Sequence, residues 1–237
     1  MKKLNFIIKY GLALLLLSFY SCESWLNVTP SDRLSEEMLF NDREGFVKAL
    51  NGVYIELNTN ELYGRNLTAG ALDVMGQYYS VASSSHAFYN YGGLVYTGND
   101  EKALFDNMWQ KCYAVIACCN TIIEKCDENK AGLSPVWKGS IKGEALALRA
   151  MLHFDMLRLF GPLTSELDKE SIPYQTNSDQ TVTPLLSGSE VIGLILDDLK
   201  NAVGLLKDTD PYFVEEEFSD TDLNYRRFRM NYFAAKG

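Results

Sequence analysis

Histidine is nearly absent from this chain: of its 237 residues only His86 and His153 carry an imidazole. Neither has a visible reason to join the cysteines, so no tetrahedral ligand set is marked out, and no metal or other cofactor is expected. Disulfide pairs are missing as well. Cys112, Cys118, Cys119 and Cys126 fall on one predicted helix, where residues seven apart are separated by about 10.5 Å of rise, beyond a disulfide's reach. Free thiols are expected. Positive charge is scarce: 22 Lys and Arg stand against 31 Asp and Glu, a net charge of −9. An acidic surface argues against nucleic acid or an anionic membrane as a partner. The one long apolar run, residues 11–17, is too short to span a bilayer.

That run follows Lys2, Lys3 and Lys9 and ends in a short tail at Cys22. Residues 1–21 therefore read as a bacterial export signal, and a small residue before Cys22 suits the lipoprotein type, in which that cysteine becomes the acylated first residue. An ordinary cleaved signal with a stray cysteine is the alternative. Removing the signal leaves a mature charge of about −12. Residues 22–33 are polar and form a tether; 34–237 form the folded domain. With 47% hydrophobic and 22% charged residues the composition is that of an ordinary globular protein.

The domain is organised around residues 134–162. Ser134 is an N-cap, Pro135 sits at the first helical position, and Gly161-Pro162 offers a left-handed stop and a break. Trp137, Ile141, Ala145, Leu148, Leu152, Met156 and Leu159 make one stripe; Ala147, Ala150, Phe154 and Leu157 make a second, nearly opposite. A helix apolar on both sides is sandwiched between neighbours, as in a layered helical array. Gly139 and Gly143 mark a place where another backbone approaches closely.

Around it stand three more helices. The first starts with Asn41 and Glu44 as a capping-box pair and buries Phe46, Ala49, Leu50, Val53, Tyr54 and Leu57. The second, 103–126, buries Phe105, Met108, Trp109, Cys112, Tyr113, Ile116, Cys119 and Ile123, with Asn120 as a buried amide bonding the backbone of a neighbouring helix. The link 127–133 closes it into an antiparallel hairpin with the central helix. The third, 189–206, carries Val191, Ile192, Ile195, Leu196, Leu199, Val203 and Leu206 on its apolar face. The acidic stretch 207–224 lacks EF-hand spacing and reads as a solvated charge run. Residues 225–237 begin a further helix that lacks a capping residue or partner, as in a chain cut within a longer fold.

Residues 58–101 differ: Gly, Ser and Asn with seven aromatics, Tyr63, Tyr78, Tyr79, Phe88, Tyr89, Tyr91 and Tyr96, and no helical period. Rings that stack on a pyranose, beside amides and carboxylates that bond its hydroxyls, suit a sugar site. The alternative is that the rings pin a long loop to the helices.

In order and spacing the chain resembles the N-terminal part of the SusD/RagB family of outer-membrane nutrient-binding lipoproteins of the Bacteroidetes. The resemblance is carried by Cys22, Trp25-Leu26 and Pro30, by Phe46 with Asn51-Gly52-Val53-Tyr54, and by Trp109, Tyr113 and Asn120. The run from Gly143 to Ala150, Phe160-Gly161-Pro162, Ile172-Pro173, Asp198-Leu199, and Arg229-Met230-Asn231 with Ala234-Ala235 complete it. It implies an all-α, tetratricopeptide-like array of helical pairs with long irregular loop insertions, lacking here the C-terminal half. It also implies a lipid-anchored, surface-exposed protein of the cell outer membrane, which captures oligosaccharide for import by a SusC-type TonB-dependent transporter. By the same resemblance the segment before the Trp109 helix supplies ligand contacts, for which this chain offers Asp73, Tyr89, Tyr91, Tyr96 and Asn99. No catalytic residue is expected: Glu144, Arg149 and His153 lie on different faces of a packed helix with no nucleophile beside them. A peptide-binding scaffold and a surface glycan hydrolase are the rival readings, the latter needing two carboxylates roughly 5–9.5 Å apart.

Overall fold

A computed structural model describes residues 36–179 and 181–237, so residues 1–35, with Cys22, the signal and the tether to residue 33, lie outside the described residues. The chain divides into two units, Met1–Met38 and Leu39–Gly237. Within the second, the elements are α1 (Arg43–Leu57), α2 (Ala71–Met75), α3 (Tyr89–Gly92), α4 (Asn99–Glu128), α5 (Pro135–Phe160), α6 (Gly188–Thr209), α7 (Asp220–Arg226) and α8 (Tyr232–Lys236). Among the described residues there is no strand, only an isolated antiparallel bridge between Glu170 and Ser187. The fold is the expected all-α array.

α5 is the central layer, packed against α4 and α6, with α1 lying on α4 and α5 and α8 on α6. Its 26 residues span about 39 Å. Ser134 accepts from the Trp137 N–H as N-cap and Pro135 opens the helix. Both apolar stripes are buried over most of their length, but Phe154 is 47% exposed and leaves the second stripe open at its C-terminal end. Gly161 ends the helix in an extended conformation, φ −82°, rather than a left-handed one; the following Pro162 favours that extended geometry in the residue before it. The glycines do mark a close approach. A Cβ on Gly139 would stand 2.5 Å from Thr209 Cγ2, and one on Gly143 would stand 2.8 Å from Leu206 Cγ, so α6 lies directly on this edge of α5.

The α4–α5 hairpin turns at Asn129, which takes the left-handed conformation, φ 46°, and whose side chain closes the turn by accepting from the Leu133 N–H at 2.7 Å and donating to its carbonyl. At α1 the cap is Asp42, one residue later than expected, accepting from Gly45 N at 2.8 Å. α6 begins with a full capping box between Ser187 and Glu190. Leu196, expected in the core, is 48% exposed, and buried Asp198 takes part of the inner face instead.

Two polar networks run through the interior. In the first, Asp198 receives Arg149 Nε and Nη2 at 2.7 Å each and the Tyr174 hydroxyl at 2.6 Å. Arg149 Nη1 donates to Asn120 Oδ1 at 2.9 Å. Asn120 is thus the buried amide expected, but its N–H groups go to the carbonyls of Gln175 and Asn177, in the connection after α5, not to a helix. The carbonyls of this irregular connection are not taken up by a helical ladder and accept from Asn120 instead. In the second network, Arg226 reaches Glu144 and Asp210, and Tyr54 donates to Glu144 at 2.5 Å. Asp210 is fully buried. The acidic stretch is therefore not solvated throughout, because one of its carboxylates is neutralised by Arg226 and also accepts from the Tyr232 N–H. Residues 225–237 are anchored as well: Asn231 caps α8, accepting from Ala234 N, and Ala235 is buried.

Candidate functional site

Residues 58–98 are built as turns around a second, smaller core. Ala71, Val74 and Tyr91 are buried together, with Met75, Val81, Phe88, Tyr96, Leu104 and Phe105 packed on them. Short elements result from local stops. Gly70 starts α2 where a Cβ would meet the Arg65 carbonyl at 2.6 Å, and the chain leaves α2 through Gln77, held left-handed at φ 61°. After α3 the chain reverses at Leu94, also left-handed at φ 55°, where Val95 N returns to the Asn90 carbonyl at 2.9 Å.

Between these two reversals lies a cleft of about 340 Å³ lined by Gln77, Tyr79, Ser80, Val81, Tyr89 and Asn90, with Gly92, Gly93 and Val95 closing it. Tyr79 and Tyr89 are each 42% exposed, and the neighbouring Tyr78 is 83% exposed. Gln77 spans the floor, its Nε2 donating to the carbonyls of Gly92 at 3.0 Å and Val74 at 3.3 Å. Asn90 Nδ2 donates to Glu101 Oε1 at 2.8 Å, tying the cleft to the first turn of α4. Tyr79 is held by its hydroxyl, which donates to the carbonyls of Ala69 and Gly70.

Of the five residues expected to touch ligand, the structure brings Tyr89 to the cleft. Tyr91 is not available there: it is 2% exposed, edge-on to Phe88 and Phe105, and is the centre of the small core. Burial, and after it the nearby Glu101 and Asp100, push its phenol up to about 12. Tyr96 packs edge-on to Phe105 at 5.5 Å and its phenol is also raised by burial. Asp73 is half-buried on α2, and Asn99 is exposed as the first residue of α4, four residues earlier than the expected helix start; neither lines the cleft. Gln77 and Asn90 were not singled out by sequence, and Tyr79 only as one of the seven aromatics and not as a ligand contact, although the breaks at Gly76 and Gly92-Gly93 bracket all three.

The three titratable groups of α5 that invite a catalytic reading, Glu144, Arg149 and His153, are all hydrogen-bonded within the interior. His153, fully buried and stacked on Tyr174 at 3.9 Å, bridges the Arg149 carbonyl and the Gln175 N–H. Because Nε2 accepts from an N–H, Nδ1 carries the proton and the ring is neutral. Burial lowers its pKa to about 4. Arg149, His153 and Glu144 thus serve as struts. The cleft lining contains no Asp or Glu, so the carboxylate pair of a hydrolase is not presented there. A more open groove of about 600 Å³, lined by Ile123, Lys142, Leu146, Lys200, Asn201 and Leu205 among others, lies on the α4–α6 face, where the scaffold reading would seat a peptide.

A SusD-like family described as "Starch-binding associating with outer membrane" matches residues 24–219. A SusD-like protein of Formosa agariphila is 27% identical over 199 residues, covering 77% of this chain and 34% of its own. Another, from Bacteroides ovatus, is 30% identical over 110 residues, 45% of this chain and 19% of that protein. Among solved structures, a SusD-like carbohydrate binding protein from Bacteroides vulgatus superposes with a TM-score of 0.64 at 23% identity, over 83% of this chain and 40% of that one. A SusD-like protein from Bacteroides fragilis gives a TM-score of 0.59 at 18% identity, over 87% and 35%. The match therefore covers between 19% and 40% of the length of these longer relatives.

Proposed function

Because the chain belongs to the SusD-like family, whose description is starch binding in association with the outer membrane, we propose that it captures oligosaccharide at the cell surface without chemically altering it. In this reading Cys22 carries the lipid anchor, and a SusC-type TonB-dependent transporter takes the captured glycan across the membrane. The observation that carries the glycan reading is the pair of half-exposed rings, Tyr79 and Tyr89, at a cleft that the amides of Gln77 and Asn90 also line. Rings supply stacking area for the apolar faces of pyranoses, and the amides hydrogen-bond their hydroxyls. The Tyr79 ring is held before ligand arrives by its hydroxyl, and the backbone of Tyr89 is held by the helical turn of α3, which lowers the ordering cost that falls on binding. Affinity for a single chain need not be high, since tethering beside a transporter raises effective concentration.

The test is calorimetry of the lipid-free protein against a panel of oligosaccharides, with chromatography of the same mixtures. Binding without product formation is expected, weakened about tenfold by Tyr89→Ala, the loss of roughly 1.4 kcal/mol of stacking. Product formation would favour the hydrolase, and peptide binding without glycan binding would favour the scaffold.

A further inference from the structure

The polarity of the cleft is fixed by what lies behind it. Glu101 is 5% exposed and its Oε1 faces the Asn90 amide. A carboxylate oxygen accepts, so the group turned toward Glu101 is the Asn90 NH2, and Oδ1 is the atom left over. Gln77 is constrained in the same way: two backbone carbonyls, of Val74 and Gly92, take its NH2, leaving Oε1. Neither Asn90 Oδ1 nor Gln77 Oε1 accepts a hydrogen bond from any described residue, and both residues line the cleft. The side-chain groups of fixed polarity are therefore acceptors, and the Ser80 and Tyr89 hydroxyls adapt to either role.

The surrounding charge has the same sense. The lining holds no Lys, Arg or His among the described residues. Acidic groups stand close by: Glu101 behind Asn90, Asp100 beside it, and Asp73 one helical turn before Gln77. The basic residues nearest in sequence, Arg65, His86 and Lys102, do not line the cleft, and Arg65 lies over the Phe88 ring and donates to Asn66 Oδ1. An anionic sugar seated on Tyr89 would set its carboxylate or sulfate against carbonyl oxygens, with no counter-charge to offset its desolvation.

We infer that this cleft selects uncharged, hydroxyl-rich glycan segments and turns away uronic acid and sulfated ones. The inference rests on the glycan-capture reading and sharpens it. The probes are neutral hexasaccharides of the gluco, manno and galacto series, each paired with the same chain oxidised at its C6 hydroxyls to carboxylates. For the best neutral ligand, oxidation is expected to weaken binding at least tenfold. Neutral binding should change little with salt and should fall in both Tyr89→Ala and Tyr79→Ala. A gain-of-function variant keeps the test independent of fold damage: Val95 is 47% exposed at the cleft wall, and Val95→Lys should restore binding of the oxidised chain severalfold, in a salt-sensitive manner. Equal or tighter binding of the oxidised chain by the unmodified protein, or neutral binding untouched by both tyrosine variants, overturns the inference while leaving capture standing. Failure of every glycan, neutral and oxidised, overturns the capture reading itself.

Discussion

Asp197 and Asp198 are neighbours on α6, yet a turn of about 100° per residue separates a solvated carboxylate from a buried one. Asp197 pairs with Lys200 at 3.5 Å, with side chains 67% and 74% exposed. Asp198 and Arg149 are 9% and 8% exposed, and their pairing is bidentate. Asp198→Ala strands the guanidinium in the interior and removes the acceptor of the Tyr174 hydroxyl. Breaking such a pair from one side costs about 3–5 kcal/mol. For a domain of this size, where 1 kcal/mol moves Tm by roughly 2–4 °C, the midpoint should fall by about 6–20 °C. Asp197→Ala should stay within about 0.5 kcal/mol, since exposed pairs contribute little. Thermal unfolding followed by circular dichroism measures both. Hydrogen exchange adds the location: amides of residues 172–178 should lose protection, because Tyr174, Gln175 and Thr176 are held through Asp198, His153 and Arg149. The double variant Arg149→Met/Asp198→Leu should recover much of the loss, since it leaves no buried charge behind. If Asp198→Ala costs no more than Asp197→Ala, the buried network does not hold the connection and the reasoning is refuted.

Three further outcomes follow from the same structure. His153 is neutral when folded, its pKa lowered to about 4 chiefly by burial, against about 6.5 unfolded, so the unfolded chain takes up a proton that the native one refuses. Its contribution is complete above about pH 6.5 and is lost on acidification toward pH 4, at most about 3 kcal/mol; urea titrations at pH 7 and 4.5 should show a shallower fall in His153→Gln. Gly204→Ala adds a methyl with nothing within 4 Å and should stabilise by about 0.5–1 kcal/mol, whereas Gly143→Val must push Leu206 aside and should cost about 1–3 kcal/mol, both read from chemical denaturation. Iodoacetamide with peptide mapping should modify Cys118, which is exposed, before buried Cys112, Cys119 and Cys126; burial lifts the Cys126 thiol to about 12.

The helices were legible because their signals are local. Ser134 and Pro135 announce α5, and its two apolar stripes announce that it is sandwiched. What was not legible depends on partners distant in sequence. Nothing in an acidic run distinguishes Asp210 from its neighbours until Arg226 folds back onto it. Asn120 reads as a buried amide from its place on an apolar face, but its acceptors lie 55 and 57 residues away in a segment with no period. Phe154 and Leu196 fit their stripes and still face outward, because a stripe records spacing and not where the neighbouring layer ends.

The aromatic segment shows the same limit at the scale of two residues. Tyr89 and Tyr91 are the first and third residues of one short helical element, where a separation of two residues turns side chains through about 200°, so one ring faces the cleft and the other the small core. The sugar-stacking and loop-pinning readings are therefore not rivals over the whole segment. Phe88, Tyr91 and Tyr96 pin it, and Tyr78, Tyr79 and Tyr89 remain exposed. Phe105 packs against Tyr91 and Tyr96 on one side and Phe160, the last residue of α5, on the other. Four residues earlier on α4, Glu101 holds Asn90. One helix of the scaffold thus fixes Asn90 of the cleft and the small core behind it, and in the proposed reading a site mounted in that way spends little free energy on becoming ordered when a ligand arrives.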